Sequence, residues 1–452
     1  MESAPSHTTY DVLVIGGGPS GATAALRLAR AGVSVLVVEK SRFPRFHVGE
    51  SFLPRNFDLI VELGLEAALK ALPHTEKLGA EFAFGNTTET SRIVFNDGFN
   101  RSSDEAFNIE RAPFDAMLLD AARSAGAEVV ENATVRDTVT LDEGDVSVQI
   151  DGRTIAAKYL IDASGQQTFL GKRLGTRRGF LNHRKVAYFG HFENVKRLEG
   201  RAAGFPLIAM CDEGWFWAIP LDARRTSIGL VLDADIARGI DVPAENMLEW
   251  GIARCPLLRE RTAEATFPEK NHVIADFSYS CAPYAGPGYF LVGDSAVFYD
   301  PIFSSGVCLA MMGAVAAADG IADILSRRRS PQSVRRKYCA LVSASSSVFF
   351  RLVNLYYEHS FRELFLTERG PLQMHRALIS ILAGHVFPKP SFKVRWRLQV
   401  FEWLVRLNRR FQLAPRRSSF CLVDEPPGVL SDKRHAPNEA REEPTAVAES
   451  LG

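Results

Sequence analysis

The chain has 452 residues and sets 53 lysines and arginines against 53 aspartates and glutamates, so its formal net charge is zero and it offers no electrostatic footprint for nucleic acid. At 46% hydrophobic it can bury a large core, read here as two interleaved domains followed by a C-terminal region. Six cysteines (211, 255, 281, 308, 339 and 421) form no Cys-x-x-Cys pair, which argues against a metal site or disulfide framework and fits a reduced, cytoplasmic setting; no secretory signal and no long uninterrupted apolar run for a transmembrane segment is present.

Tyr10 to Ile15 is a short apolar run with the character of a buried strand. It enters Gly16-Gly17-Gly18-Pro19-Ser20-Gly21, after which Ala22 to Ala29 reads as a helix. Gly16, Gly18 and Gly21 have the GxGxxG spacing that permits a tight turn, close approach of a pyrophosphate and close helix–strand packing. Gly17 and Ser20 lie in the same turn, where free N–H groups of the helix N-terminus face phosphate. A second strand, Ser34 to Val38, ends at Glu39, 18 residues beyond Gly21, where a carboxylate would hold ribose hydroxyls. Strand, turn, helix, strand and acid together predict a dinucleotide site.

Phe43-Pro44-Arg45 leads into Phe46-His47-Val48-Gly49-Glu50-Ser51. His47 beside such a loop is read as a hydrogen-bonded positioning group rather than a base. Lys77 follows in Glu76-Lys77-Leu78-Gly79-Ala80-Glu81-Phe82, and taken alone it would be an ordinary solvated lysine. Arg111, in Glu110-Arg111-Ala112-Pro113-Phe114-Asp115, reads either as a surface arginine at a helix start or as a cofactor contact. Tyr159 to Gly165 is a strand ending in a small-residue turn. Gly214-Trp215-Phe216-Trp217-Ala218-Ile219-Pro220 places two tryptophans on one side of a strand, able to wall a cavity or simply to pack a core. Phe290 to Ala296 is a further strand interrupted by Gly293-Asp294, where Asp294 also suits a helix N-cap. Phe298 to Val307 reads Phe-x-x-Pro-x-x-Ser-x-Gly. There Pro301 fixes a turn, Gly306 permits close backbone approach, and a helix starting near Gly306 offers N–H groups and a positive dipole end.

Beyond residue 330, Ser345 to Tyr357, Arg376 to Phe387 and Val394 to Arg410 look helical. Between Phe392 and Arg417 stand Lys393, Arg395, Arg397, Arg406, Arg409, Arg410, Arg416 and Arg417 against a single acid, Glu402, with Trp396 and Trp403 on one helix face. This is either a packing helix with a solvated basic face or a surface for an acidic partner; a helix lying on anionic membrane ranks lower. Asp424 to Gly452 is poor in apolar residues and is read as a disordered tail.

The Val-Gly-Glu-Ser, Lys-x-Gly-Ala, Trp-x-Trp-x-Ile-Pro and Phe-x-x-Pro-x-x-Ser-x-Gly segments, in this order, resemble the signatures of the flavin-dependent halogenases. Residues 8–330 resemble the wider frame of the glutathione-reductase-like flavoprotein monooxygenases. A minor departure is Ser51-Phe52-Leu53-Pro54, where a second leucine is commoner. The resemblance implies an α/β fold. A Rossmann-like FAD-binding domain (8–60, 105–170 and 275–330) would be interleaved with a mixed-sheet substrate domain (75–104 and 175–275), followed by a helical region over 331–415.

The resemblance also implies roles. FAD would be held by Gly16, Gly17, Gly18, Ser20, Gly21, Glu39, Arg45, Glu50, Ser51, Arg111, Gly293, Asp294, Pro301 and Val307. The backbone amides of Ser305 and Gly306 would bind chloride or bromide. Reduced FAD from a separate flavin reductase, with O2, would oxidise the halide to hypohalous acid, which passes Trp215 and Trp217 to Lys77. The compact chain and its motif variants resemble the phenol- and pyrrole-halogenating group of natural-product (antibiotic) pathways, several of which act on carrier-protein-tethered substrates; free tryptophan is not expected. An NAD(P)H-dependent aromatic hydroxylase shares Arg111, Gly293-Asp294 and Asp300-Pro301, and remains an alternative at this stage. So do a geranylgeranyl-reductase-like flavoenzyme and a flavin-binding scaffold.

Overall fold

The computed structural model describes residues 9–84, 88–99, 105–180, 183–268, 270–365, 371–387, 389–415 and 420–423. Its first sheet runs Ala285–Gly286, Tyr289–Leu291, Arg153–Asp162, Thr9–Ile15, Val35–Val38, Glu128–Val130, with Val135–Asp142 and Asp145–Ile150 joined to it. The central pairs are parallel, with Val14 opposite both Val37 and Ile161. Helices cover both faces of a parallel sheet, which is why Val35–Val38 is buried at every residue and reads as an unbroken apolar run. Ile15, Val38 and Asp162 end their strands side by side, so the loops that follow open into one crevice. Helix Pro19–Arg30 begins there with proline in its first turn and buries nine residues against the sheet and the helix Gly306–Leu325.

The second sheet has seven strands in the order His272–Ala275, Lys185–Glu193, Arg225–Asp233, Gly214–Pro220, Leu207–Met210, Gly79–Phe84, Thr90–Val94. Side chains alternate between its two faces. Phe216 and Leu230 join the core beneath helices Met247–Arg254 and Pro256–Arg261. Trp215, Trp217, Phe82 and Val231 point the other way, into a core shared with Phe349, Val353, Tyr356 and Phe361 of the C-terminal helices.

That C-terminal region consists of Pro331–Tyr356, His359–Phe365, Met374–Leu382 and Phe392–Phe411. The first of these begins 14 residues earlier than the apolar pattern from Ser345 suggests. Ser330 caps it by accepting from Ser333 N, and a proline occupies its first turn. Gly306–Leu325 and Pro331–Tyr356 are long and apolar enough to cross a membrane by length and composition. Asp319 interrupts the first of them and pairs with Arg27 at 2.7 Å, and Met311, Ala314, Ala317, Ala318 and Ile321 of that helix are buried, as in a core helix. Arg416, Arg417 and the stretch from Asp424 to Gly452 lie outside the described residues.

Candidate functional site

The crevice at the first sheet is built around the glycine turn. A Cβ on Gly21 would stand 1.9 Å from the Gly16 carbonyl oxygen, so only glycine lets the helix start this close to the strand. Glu39 accepts from Gly17 N at 2.8 Å and Ser41 N at 2.9 Å, which fixes its carboxylate at the strand end. Asp162 accepts from Ser164 N at 2.9 Å and Leu170 N at 2.7 Å and so shapes the turn at Gly165. Gly293, Asp294 and Ser295 form one tight turn, anchored by Tyr279 donating to the Asp294 carbonyl at 2.9 Å. The Asp294 side chain faces the crevice; burial pushes its carboxyl up to about 6, against the opposing pull of Arg111. Arg111 is buried, not a surface arginine. It donates to both oxygens of Asp115 at 2.7 and 2.9 Å and to the Val48 carbonyl at 2.9 Å, with Arg45 lying 3.3 Å from the same Asp115.

This crevice continues as one cavity of about 510 Å³. Of the residues singled out in the sequence, Gly16, Gly18, Ser20, Glu39, Arg45, Glu50, Ser51, Arg111, Asp294, Pro301, Gly306 and Val307 line it, and so do Trp215 and Trp217. Gly17, Gly21 and Gly293 shape the turns behind this wall without lining it, and Ser305 borders a small cavity of about 30 Å³ that shares Asp294 and Gly306 with the large one. The donor set fits FAD: a glycine turn at a helix N-terminus for the pyrophosphate, Glu39 for ribose, and Asp294 with Arg111 farther along.

Trp215 and Trp217 stand with ring centroids 5.7 Å apart and planes at 48°. Trp217 donates to Ser227 Oγ at 3.1 Å, and its ring lies where Gly229 has no side chain: a Cβ there would be 2.2 Å away. Lys77 ends strand Thr75–Lys77 and is 3% exposed. Its ammonium donates to Ser51 Oγ and the Phe52 carbonyl, both at 2.9 Å, and lies 5.5 Å from the centroid of the Phe95 ring. Burial lowers it to about 7. Lys77 does not itself line the cavity, whereas Ser51, its hydrogen-bond partner, does.

At the other motif, Ser304 takes a left-handed conformation (φ 55°) that turns the chain into helix Gly306–Leu325. Gly306 and Val307 in its first turn line the cavity, where unpaired helix N–H groups and the dipole favour an anion.

Residues 9–335 match the family model described as "FAD binding domain". A 1H-pyrrole-2-carbonyl-(peptidyl-carrier protein) chlorinase of Pseudomonas fluorescens is 30% identical over 376 residues, 77% of this chain and 83% of the relative. The chain belongs to the flavin-dependent halogenases. A tryptophan 2-halogenase of Chondromyces crocatus is 33% identical over 332 residues, 71% of this chain and 62% of that longer protein. The solved structure of the flavin-dependent brominase Bmp2 superposes with a TM-score of 0.78 at 26% identity, covering 88% of this chain and 99% of the other. The protein is thus an enzyme that uses FAD and a halide, on a fold of an FAD-binding sheet joined to a second sheet.

Further residues are tied to the cavity wall by contacts that carry no sequence motif. His191 lies 2.5 Å from Glu50 and so ties the Phe46–Ser51 segment to the second sheet. Burial pulls His191 down, but the hydrogen bond and charge of Glu50 outweigh it and the net shift is upward. Phe46 stacks on His272 at 4.2 Å. Tyr357 joins Trp215 to Asp300. None of these has a local signature; each is defined by a partner more than 50 residues away. His47 Nδ1 donates to the Val48 carbonyl at 2.7 Å, and burial together with Arg111 holds its value near 4, neutral at pH 7.

Proposed function

We propose that this halogenase places chlorine or bromine on an electron-rich phenol or pyrrole presented on an acyl or peptidyl carrier protein, within a natural-product pathway. The observation that supports this most is that Glu39, Arg111 and Asp294 line the same cavity as Trp215 and Trp217. FADH2 delivered by a separate reductase would, with O2, supply the two-electron oxidation of the halide. The Ser305 and Gly306 amides would hold the halide, with the helix dipole favouring the anion. Trp215 and Trp217 would keep the passage apolar and shield the oxidant from water. The Lys77 amine, partly neutral at pH 7 because of its burial, would deliver hypohalous acid to the ring.

The carrier is suggested by the relative whose substrate is a pyrrole-2-carbonyl group on a peptidyl carrier protein. The basic helix Phe392–Phe411 suits such a partner. It buries Val394, Phe401 and Val405 and leaves Phe392, Arg395, Trp403, Arg406 and Arg410 exposed along one face. The exposed side is the basic face in either reading, solvated or docking, and the opposite side packs on the fold.

The test supplies purified protein with FAD, a flavin reductase, NADH, O2 and bromide, and offers free phenols and pyrroles beside carrier-tethered versions. Brominated tethered product, lost on reversing Arg395, Arg406 and Arg410 to glutamate, is expected. Bromination of free rings alone would remove the carrier from the account.

A further inference from the structure

Tyr357 directly follows helix Pro331–Tyr356 and sits between two motifs that the chain separates widely. Its hydroxyl accepts from Trp215 Nε1 at 3.1 Å and donates to Asp300 Oδ2 at 2.8 Å. The other Asp300 oxygen accepts from Ile302 N at 3.0 Å. Lys185 Nζ lies 4.4 Å from the centroid of the Tyr357 ring and 3.7 Å from Asp233. Burial raises Asp300 to about 6, with the Tyr357 hydrogen bond and Lys185 pulling the other way, so it is mostly ionised at neutral pH.

Asp300 opens the turn that leads to Gly306, six residues on. An ionised carboxylate aimed at an anion site would oppose halide binding. Asp300 does not line the large cavity, whereas Pro301, Ile302, Ser304 and Gly306 do; it borders the small cavity of about 30 Å³ that Ser305 and Gly306 also line, so its charge stands close to the proposed halide site. Its two oxygens are engaged, one by the Tyr357 hydroxyl and the other by Ile302 N. The same hydroxyl that holds the carboxylate also fixes the indole of a tryptophan that walls the passage. Tyr357 lies outside the span 9–335 that matches the FAD-binding family, so FAD binding by itself does not call for this contact.

We propose that Tyr357 is a positioning residue of the halogenation reaction: it holds the Asp300 carboxylate away from the halide site at Gly306 and fixes the Trp215 ring through the same hydroxyl. The inference rests on the halide site proposed above.

Tyr357→Phe keeps the ring and removes both hydrogen bonds. Halide KM is expected to rise about tenfold, the scale of a lost hydrogen bond to a charged group, with FAD affinity retained. In Tyr357→Phe/Asp300→Asn no charge is released, and halide KM is expected to return close to the wild-type value. A merely structural tyrosine would leave the double variant as impaired as the single one. Near-UV circular dichroism of the apoprotein is expected to lose intensity in both variants as the Trp215 indole is freed. A wild-type halide KM in Tyr357→Phe, or no recovery in the double variant, overturns the proposal. Should Tyr357→Phe fail to fold, Asp300→Glu and Asp300→Gln supply the same comparison at equal side-chain length: only the glutamate is expected to raise halide KM, and equal values refute the clamp. Failure of the halide site itself shows separately as an unchanged halide KM in Gly306→Val, and that result also ends the inference.

Discussion

Lys77 Nζ donates to Ser51 Oγ at 2.9 Å, so the lysine segment and the Val-Gly-Glu-Ser segment, 26 residues apart, meet through one hydrogen bond. Ser51 lines the cavity and Lys77 does not, so the amine is one hydrogen bond removed from the cavity wall. Lys77→Met keeps the apolar stem and removes the amine. Product formation is expected to fall about 100-fold or more, the scale of a lost proton-transferring group, while FAD binding and O2-dependent oxidation of reduced flavin persist. Mass spectrometry of the product, with a hypohalous-acid trap run in parallel, measures both. Full product from the methionine variant would remove Lys77 from the chemistry.

The burial of the same amine carries a pH signature in stability. Its folded value near 7 lies below the 10.5 of a free lysine. Between these two values the unfolded chain binds a proton that the folded chain lacks, so stability rises with pH across that window. Lys77→Met has no such group. The melting temperature of the wild type, relative to the variant, is expected to climb between pH 7 and 9.5; a constant difference would show that Lys77 is charged in the folded protein.

Glu50 and His191 give a dependence of opposite sign. The folded His191 value is raised, so the stabilisation of the Phe46–Ser51 segment is complete below the 6.5 of a free histidine and is lost as pH rises through the folded value. Since Arg111, Glu50 and Ser51 all line the cofactor end of the cavity, FAD affinity should weaken on the alkaline side. In His191→Gln the affinity is expected to be about tenfold lower at pH 6, as for a lost charge-assisted hydrogen bond, and flat with pH. Fluorescence titration of FAD from pH 6 to 9 reads this directly, and parallel curves for the two proteins would detach the pair from cofactor binding.

Sequence reading reached the parts of this site that depend on consecutive residues. The glycine turn, the strand ending at Glu39 and the alternation of Trp215 and Trp217 are local consequences of backbone geometry, and each is visible in a few adjacent letters. The inward turn of Arg111 is implied by the family resemblance rather than by the adjacent letters, because the sequence around a helix start does not say which side of the helix is covered. Lys77 was identified by its context, but its burial follows from strand Ala106–Asn108 and Phe95 closing over it, contacts that no periodicity encodes. Tyr357 and His191 were invisible for the same reason: a tyrosine after a helix and a histidine in a strand acquire meaning only through Trp215, Asp300 and Glu50. The start of the helix at Pro331 was missed because its first turns are basic and polar, and the Ser330 cap rather than an apolar stripe defines it.

Gly229 offers a test of the tryptophan wall that leaves the cofactor end untouched. It sits on strand Arg225–Asp233 opposite Trp217, and an added methyl would meet the Trp217 ring at 2.2 Å. The neighbour is the body of a rigid indole rather than a flexible end, so the ring or the strand must shift. Gly229→Ala is expected to cost about 1–3 kcal/mol of stability, as overpacking of a close-packed core does. It should also displace Trp217 from Ser227, changing the tryptophan emission and the yield of halogenated product per flavin oxidised. FAD affinity is expected to stay at the wild-type level, because Gly229 does not line the cavity. Wild-type yield together with an altered emission spectrum would show that the position of Trp217 does not govern passage of the oxidant, and would leave Trp215, held by Tyr357, as the tryptophan that matters.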